Sequence, residues 1–513
     1  MQPSNSRSIL RMARITTALL AVMGAVHGAP AAASAFVYRV PIQGVASQSE
    51  QIMTELLVSL SGGPALPGAD VGWPYNVDLN ALLSVTGDKT YNSANVEWAI
   101  TSGGLPNGLS LGTNGVISGA PTTVQNSSFQ VLATYKTKTG QQAYTITVNG
   151  VTLHVTQISA GHLHTCAVTT TGGAKCWGAD HYGQLGNDAS YSNQMSPVDV
   201  AGLTSGVISI DARGLGHSCA VTTGGAVKCW GDNSFGQLGS GTGPSSQPLP
   251  VNVQGLTSGV AQVIVGRSHT CAITTSGGMK CWGYDAEGQL GNDSAFSAQP
   301  VPVDVVDLGA PVVSASASSH TCAVLSTGGV KCWGSNAGGR LGDGTVSNQP
   351  TPVAVQGLTV GVTGVSAGPS HTCVVTSAGA VKCWGTDSFG ELGNDADLVS
   401  SAYPVTVYGA ASGFKSVSAG DAFTCAVTTA GGLKCWGRAD MGKLGNGMDA
   451  GAQPVPSDVV GLTAGVVQVS TGTWHTCAIT ATSGSKCWGR AGFGQLGNST
   501  VSADQATPIE VQP

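Results

Sequence analysis

The chain has 513 residues, of which 75 are glycine, and only 9% of its residues carry a charged side chain. Its formal net charge of -6 argues against a dedicated nucleic-acid binder, which would need a basic surface. The glycine-rich, charge-poor composition is typical of an all-β protein with many turns rather than of a helical one, and the length allows more than one domain.

The first 35 residues have the pattern of a secretory signal peptide. Arg7, Arg11 and Arg14 precede an apolar run from Ile15 to Val26, and a run of small residues ends at Ala35. About 12 apolar residues are too few for a membrane-spanning helix, which needs roughly 20. We therefore predict that residues 1–35 are removed, and that the mature chain has no membrane span. It would reside in the periplasm, at the cell surface or outside the cell, where disulfides persist.

Residues 36–67 are predicted to be a connector, and residues 68–149 a small β-sandwich. In the second segment, short alternating runs such as FQVLATYKT and AYTITV are separated by Gly, Pro and Asn. The stretches Gly104–Leu109 and Gly115–Pro121 resemble the immunoglobulin-like modules common in bacterial surface proteins. That resemblance implies a spacer or an adhesive unit, and Trp98 is expected in its core.

From residue 155 to residue 513 the chain repeats itself with a period of about 52 residues. Each of the seven repeats contains four short β candidates, and four strands per repeat are the pattern of a propeller blade. We therefore predict an all-β chain, in which a seven-bladed β-propeller is preceded by a small immunoglobulin-like β-sandwich. The last repeat is complete, so we expect the C-terminal strand to seal the ring by lying against the start of the first repeat. In the first repeat the candidate strands are Val155–Ser159, Thr165–Thr169, Ala174–Trp177 and Pro197–Val200.

Two motifs recur in all seven repeats. Lys-Cys-Trp-Gly occurs first at Lys175–Gly178, and Gly-x-Leu-Gly follows it, with Arg340, Glu391 and Lys443 replacing the usual glutamine. Together with GxxHT before the first cysteine, these motifs closely resemble the regulator of chromosome condensation repeat. The resemblance implies a seven-bladed propeller. Some members of the family are guanine-nucleotide exchange factors, and similar bacterial propellers block beta-lactamases.

All fourteen cysteines lie in the repeats, as one pair per repeat with a separation of ten positions. If the hairpin between them folds symmetrically, the two cysteines face each other on neighbouring strands at a distance that a disulfide can bridge. We predict seven structural disulfides, with reduced packed thiols, a metal site and a redox site as alternatives. Cys-x9-Cys is not a usual zinc spacing, and Phe423 replaces the repeated histidine in the sixth repeat. The predicted pairs are Cys166 with Cys176, Cys219 with Cys229, Cys271 with Cys281, Cys322 with Cys332, Cys373 with Cys383, Cys425 with Cys435, and Cys477 with Cys487.

The sequence shows no catalytic Ser/His/Asp set, no paired carboxylates and no phosphate-binding loop, so we predict a non-enzymatic protein without a cofactor or metal. The segments GNDAS and GNDSA suggest calcium, but they lack the ligand spacing of a calcium loop, and this favours turn chemistry. The repeated tryptophans and histidines are expected to be structural. The histidines are His164, His217, His269, His320, His371 and His475.

One face of the propeller is the candidate binding surface. Because strand direction alternates, the long connection of each repeat shares a face with the link before its first cysteine, and variable loops on a rigid scaffold commonly bind partners. Four repeats place an aromatic residue just before Gly-x-Leu-Gly, either to recognise a protein or to pack under its own loop. We predict an exported scaffold for a protein partner, with nucleotide exchange or inhibition of an enzyme as alternatives. The four aromatic residues are Tyr182, Phe235, Phe389 and Phe493.

Overall fold

The structure is a computed structural model that describes residues 55–188, 190–293, 296–394 and 398–513. The chain divides into residues 1–55 and 56–513, and the fold below is that of the second unit. The predicted signal peptide lies outside the described residues. None of the helices in the described ranges is long and apolar enough to cross a membrane.

Residues 57–149 form a β-sandwich. Its strands are β1 Leu57–Leu60, β2 Ala69–Asp70, β3 Tyr75–Asp78, β4 Leu83–Thr86, β5 Glu97–Gly103, β6 Leu109–Leu111, β7 Val116–Gly119, β8 Gln125–Tyr135 and β9 Lys138–Asn149. The larger sheet has the order β2-β9-β8-β5, a second sheet has the order β3-β7-β6, and β1 pairs with β4. Phe129, Tyr144 and Ile146 fill the core between the sheets, and the half-buried Trp98 packs beside them. Short 3-10 helices occupy Leu79–Leu82 and Ser93–Asn95.

The described part of the repeat region forms seven four-stranded antiparallel sheets, one for each repeat. The strands are β10 Val155–Ala160, β11 His164–Thr169, β12 Ala174–Gly178 and β13 Gln194–Asp199; β14 Val207–Asp211, β15 His217–Thr222, β16 Val227–Gly231 and β17 Gln247–Asn252; β18 Val260–Val265, β19 His269–Thr274, β20 Met279–Gly283 and β21 Gln299–Asp304; β22 Val312–Ala317, β23 His320–Leu325, β24 Val330–Gly334 and β25 Gln349–Ala354; β26 Val362–Ala367, β27 His371–Thr376, β28 Val381–Gly385 and β29 Ser401–Thr406; β30 Phe414–Ala419, β31 Phe423–Thr428, β32 Leu433–Arg438 and β33 Ala452–Asp458; β34 Val466–Thr471, β35 His475–Thr480, β36 Ser485–Gly489 and β37 Gln505–Glu510. Two further 3-10 turns are Ala337–Gly339 and Asp440–Gly442.

The fourth strand of the first sheet begins earlier than the sequence predicts. It spans Gln194–Asp199 rather than Pro197–Val200. This strand is the outermost of its sheet, and Pro197 is accommodated there because an edge strand has backbone positions that need not donate a hydrogen bond.

The first strands of the sheets line a central channel. Each of them contacts the first strand of the next sheet, and β34 of the last sheet contacts β10 of the first. The C-terminal strand β37 pairs with β36 inside the seventh sheet, and its end lies against the start of the first repeat, as expected. Val511, the residue after β37, reaches across to the start of the first repeat. The Leu153 N–H donates to the Val511 carbonyl at 2.9 Å, and the Leu153 carbonyl accepts from Ser485.

The structure has the seven predicted disulfides, and no cysteine in the described chain is free. Each bond joins the second and third strands of one sheet, where the two cysteines are directly opposed, as on β11 and β12 of the first sheet. The Cα–Cα distance is 4.1 Å in the first pair and 4.0 Å in the third. The bonded pairs are Cys166 with Cys176, Cys219 with Cys229, Cys271 with Cys281, Cys322 with Cys332, Cys373 with Cys383, Cys425 with Cys435, and Cys477 with Cys487.

Each disulfide also faces the next sheet of the ring. Cys166 and Cys176 pack in one apolar cluster with Trp230 of the second sheet, and all three side chains are fully buried. The same cluster of two cysteines and the tryptophan of the following repeat recurs around the ring. The disulfides therefore form part of the packing between sheets.

The sandwich touches the ring near the start of the first sheet. The rings of Trp73 and His154 stack with centroids 3.5 Å apart and planes 8° from parallel. His154 lies 3.6 Å from the carboxylate of Asp70 and 3.1 Å from the Thr482 carbonyl. Burial lowers the pKa of His154, so the ring is neutral at physiological pH.

Removal of Pro508–Pro513 is expected to lower the melting temperature by at least about 5 °C, because it shortens β37 and deletes the fully buried Val511 that binds Leu153. A shorter deletion of Gln512–Pro513 keeps Val511 and serves as the control. Thermal unfolding followed by circular dichroism measures both. Equal melting temperatures of the long deletion and the native chain would show that ring closure does not need this contact.

Candidate partner-binding face

One face of the ring carries the links between the first and second strands and the long connections between the third and fourth strands; we call it the channel-mouth face. In the first repeat these segments are 161–163 and 179–193. The opposite face carries the hairpins and the links between sheets. A cavity of about 130 Å³ opens at the channel mouth, and its lining includes His162, Arg213, Arg267, Asp421 and Trp474.

A backbone carbonyl ties each long connection to the next repeat. The carbonyl oxygen of Gln184, the variable residue of Gly-x-Leu-Gly, accepts hydrogen bonds from Trp230 Nε1 at 2.8 Å and from Ser218 Oγ at 3.0 Å. The same shared carbonyl occurs at all seven junctions, at residues 184, 237, 289, 340, 391, 443 and 495. Since the contact uses the backbone, the residue at x can be Gln, Arg, Glu or Lys.

The repeated histidines complete this contact in six repeats. His217 Nε2 lies 3.0 Å from the hydroxyl of Thr270, which gives its own hydrogen to the Gln237 carbonyl. The histidine must therefore donate from Nε2, and its Nδ1 carries no hydrogen. Burial lowers the pKa of His217 to about 4 and that of His164 to about 3, so the rings are neutral. In the sixth repeat Phe423 takes this place, and the ammonium of Lys443 lies 4.8 Å from its ring centroid.

The side chain at x positions the residue two places before it. Gln237 Oε1 accepts the N–H of Phe235 at 2.8 Å, and Gln184, Gln289, Glu391 and Gln495 make the same bond. Arg340 and Lys443 have no acceptor atom, and there the residue two places before has a positive φ, 73° at Gly338 and 60° at Met441. Bulky residues rarely adopt that conformation, and glycine provides it in the fourth repeat, whereas Met441 adopts it in the sixth.

The four predicted aromatic residues lie at equivalent places around the face and lean on the next repeat. Tyr182 is 46% exposed and rests against Gly216, where a Cβ atom would lie 2.6 Å from its ring. Phe235 is 42% exposed and makes an edge contact with Tyr284 at 4.8 Å. Phe389 and Phe493 are half-buried. The structure thus distributes the four rings over the face and does not gather them into one pocket.

Sequence reasoning missed a set of arginines on the same face. Arg438 lies over the ring of Phe389 at 4.9 Å, and Arg490 lies over the rings of Trp474 and Phe493 at 5.9 and 5.1 Å. All five arginines of the described residues lie in the links, in the long connections or at the strand end where such a connection begins. The positions of these arginines relative to Lys-Cys-Trp-Gly were the signal in the sequence that could have revealed their common face. They are Arg213, Arg267, Arg340, Arg438 and Arg490.

The opposite face has a different charge arrangement. Four lysines of Lys-Cys-Trp-Gly are paired there with carboxylates of the outer strand, as Lys175 is with Asp199 at 2.9 Å and Lys280 with Asp304 at 2.6 Å. On the channel-mouth face, Lys443 is fully buried and its pKa is lowered to about 8 by burial. Cations stacked on aromatic rings are thus a property of the channel-mouth face of the ring.

The sequence matches the family described as "RCC1-like domain" over residues 205–513 and the regulator of chromosome condensation (RCC1) repeat over residues 155–184. The chain belongs to the RCC1-like family. A third family, described as "Putative Ig domain", matches residues 56–149, which confirms the resemblance seen in the sandwich.

The chain matches very different shares of its relatives' own lengths. The ultraviolet-B receptor UVR8 of Arabidopsis thaliana is 32% identical over 353 residues, which are 66% of this chain and 78% of the receptor. The probable E3 ubiquitin-protein ligase HERC4 of Homo sapiens is 33% identical over 209 residues, or 40% of this chain and only 20% of the ligase. Among solved structures, yeast RCC1 (Prp20) bound to Kap60 superposes with a TM-score of 0.59 at 21% identity, covering 70% of this chain and 85% of that one. Human WBSCR16 superposes with a TM-score of 0.57 at 24% identity, covering 66% and 89%.

Acid is expected to destabilise this RCC1-like ring through its buried histidines. A histidine whose pKa is lowered on folding binds fewer protons than in the unfolded chain, so stability is lost as the pH falls from about 6.5 towards the folded value. Between pH 7.5 and 5, one such histidine accounts for about 2 kcal/mol of the free energy of unfolding. Over this pH range, the free energy of unfolding of the variant His217→Phe, which copies Phe423, should fall by about 2 kcal/mol less than that of the native chain. Urea titrations at each pH measure this difference.

The control for this measurement is His181→Phe, which changes an exposed histidine on the same face. It should keep the acid sensitivity of the native chain. If His217→Phe lost as much stability in acid as the native chain does, the neutral Nε2–H assignment would be wrong.

Proposed function

We propose that this protein is an exported, non-enzymatic scaffold that binds a partner protein through the channel-mouth face. The observation that carries the proposal is the distribution of its cations. Two arginines of the channel-mouth face, Arg438 and Arg490, stack on aromatic rings, while lysines of the opposite face are paired with carboxylates. Arginine and aromatic side chains are the residues that most often dominate the binding energy of protein interfaces.

The scaffold is rigid by construction. The proposal takes the seven sheets as the blades of one closed propeller, with a disulfide inside each blade and a shared carbonyl at each junction. A rigid scaffold keeps the cost of ordering loops on binding low. In a solved structure, yeast RCC1 (Prp20) is bound to Kap60, which supports protein binding as a use of this fold. Nucleotide exchange and enzyme inhibition would both be special cases of such binding.

The chemistry of the face suits a partner with apolar side chains. The face carries charges of both signs, since Arg213 and Arg267 lie there near acidic residues such as Asp421 and Glu287. The half-exposed rings of Tyr182 and Phe235 would supply the apolar contact area.

Export is supported by the seven disulfides, since such bonds persist in oxidising compartments. We propose the periplasm, the cell surface or the exterior of a bacterium as the site of action. The sandwich, which contacts the ring through Trp73 and His154, would then act as a spacer.

The binding face can be tested with two matched pairs of variants. Immobilised native chain would first capture a partner from the secreted and envelope proteins of the source organism. Phe235→Ala and Arg267→Ala on the channel-mouth face should each weaken that complex at least about tenfold, because truncating an interface anchor commonly costs more than 1 kcal/mol. Kd would be measured by surface plasmon resonance.

Tyr408→Ala and Lys280→Ala are the controls, since both residues lie on the opposite face and Tyr408 is 62% exposed. They should leave Kd within about twofold of the native value, as surface truncations outside a hot spot do. Loss of binding in the control pair with none in the first pair would place the partner on the other face.

The export proposal predicts the state of the native protein. The intact chain should begin near Phe36, contain no thiol that can be alkylated, and gain about 14 Da on reduction, two hydrogens for each of seven disulfides. Mass spectrometry with and without reductant makes this measurement. A full-length chain with fourteen free thiols would contradict export.

A further inference from the structure

The long connections of the propeller differ at one buried position, the second residue after Lys-Cys-Trp-Gly. The first, third and fifth repeats carry Asp there, at Asp180, Asp285 and Asp387. The same three repeats continue as Gly-x-Leu-Gly-Asn-Asp. The second and fourth repeats carry Asn at this position and lack the Asn-Asp pair, and the last two repeats carry Ala.

The side chain at this position is held the same way in Asp and Asn repeats. Its Oδ1 accepts the N–H of the leucine five residues later, at 2.9 Å for Asp180 and Asp387 and at 2.9 Å for Asn336. This bond fixes where the other polar atom of the side chain points, which is Oδ2 in aspartate and Nδ2 in asparagine.

In the Asn repeats, the second polar atom lies among oxygen atoms. Asn336 Nδ2 is 3.2 Å from Asp343 Oδ1, 3.1 Å from both Thr345 oxygens and 3.0 Å from the Ser347 carbonyl. Asn233 Nδ2 donates to the Gly243 carbonyl at 2.9 Å. The amide group therefore supplies the hydrogens that this cluster of acceptors needs.

In the first and fifth repeats an oxygen takes the place of that nitrogen. Asp180 Oδ2 and Asp387 Oδ2 are buried, and neither has a hydrogen-bond partner among the described residues. The Oδ1 atoms of Asn187 and Asn394, seven residues later, are also buried without a partner there. Asn187 and Asn394 occupy the position that Asp343 has in the fourth repeat, so two acceptor atoms without a donor come from the same turn.

In the two repeats with Ala, the asparagine that follows Gly-x-Leu-Gly has a hydrogen-bond partner. Asn446 Oδ1 accepts the N–H of Met448 at 3.1 Å, and Asn498 Oδ1 accepts the N–H of Thr500 at 3.1 Å. Unsatisfied oxygens at both positions thus occur together in the first and fifth repeats, two of the three with aspartate. Burying acceptors without a donor is unfavourable unless a proton or a positive charge lies beside them.

We propose that the turns of the first and fifth repeats each bind a calcium ion, with Asp180 and Asn187 as ligands in one and Asp387 and Asn394 in the other. Carboxylate and amide oxygens are ligands that calcium prefers, and backbone carbonyls and water complete its shell of six to eight oxygens. The described residues contain no cluster of three His, Cys, Asp or Glu, and a site with so few charges matches the weak calcium sites of extracellular modules.

A proton on each aspartate is the competing explanation. A protonated Oδ2 would itself be the missing donor and would leave no carboxylate oxygen for calcium, so the calcium titration distinguishes the two explanations.

The test is a calcium titration of the full chain after treatment with a chelator. Isothermal calorimetry with CaCl2 at pH 7.5 should show saturable binding with a Kd of about 10⁻⁴ to 10⁻³ M, and calcium should raise the melting temperature. The double variant Asp180→Asn/Asp387→Asn should bind two fewer calcium ions than the native chain. Asparagine stands at this position in two native repeats, so the variant is expected to fold.

Asp232→Asn is the matched control, since Asp232 is an acidic residue of the equivalent turn in the second repeat whose carboxylate already accepts from Ser234 and Gln237. It should bind as much calcium as the native chain. The proposal is overturned if the native chain binds no calcium, or if the double variant binds as much as the native chain.

Discussion

The ring depends on one hydrogen-bonded junction, repeated between every pair of neighbouring repeats. At each junction the carbonyl oxygen of the variable residue in Gly-x-Leu-Gly accepts from a tryptophan indole and from a Ser or Thr hydroxyl of the next repeat, as Gln184 does from Trp230 and Ser218. The indole is fully buried, so an unpaired N–H would be costly, and the carbonyl satisfies it. The tryptophan in turn covers the disulfide of the preceding sheet, which links the hydrogen bond to the packing of the core.

This junction explains how strictly each motif is kept. Lys-Cys-Trp-Gly is the same in all seven repeats because the cysteine and the tryptophan are both part of the packing between sheets. The residue at x varies because its contribution to the junction is a backbone atom. Its side chain acts only within its own turn. An acceptor such as Gln237 accepts the N–H of Phe235, whereas Lys443 has no acceptor atom, and Met441, two places before it, has a positive φ.

The sequence predicted the parts of the fold that follow from local spacing, and it failed where distant residues meet. The ten-residue separation of Cys166 and Cys176 was enough to predict a hairpin with opposed cysteines, which the register shows. Strand β13 was placed too late: it begins at Gln194, three residues before Pro197, and an outer strand accepts a proline in its interior. The contact of Arg438 with Phe389 joins two repeats, and no spacing within one repeat reveals it.

Because the junctions between repeats use backbone carbonyls, the side chains of the channel-mouth face can differ from repeat to repeat. A change at x or at the residue two places before it alters a half-exposed surface, whereas the shared carbonyl and the buried tryptophan remain. The exchange of His for Phe423 beside Lys443 shows the same tolerance, because a neutral ring accommodates the buried ammonium at 4.8 Å and the Thr476 hydroxyl still reaches the carbonyl of Lys443. A ring built on such junctions can carry aromatic, cationic and acidic connections side by side.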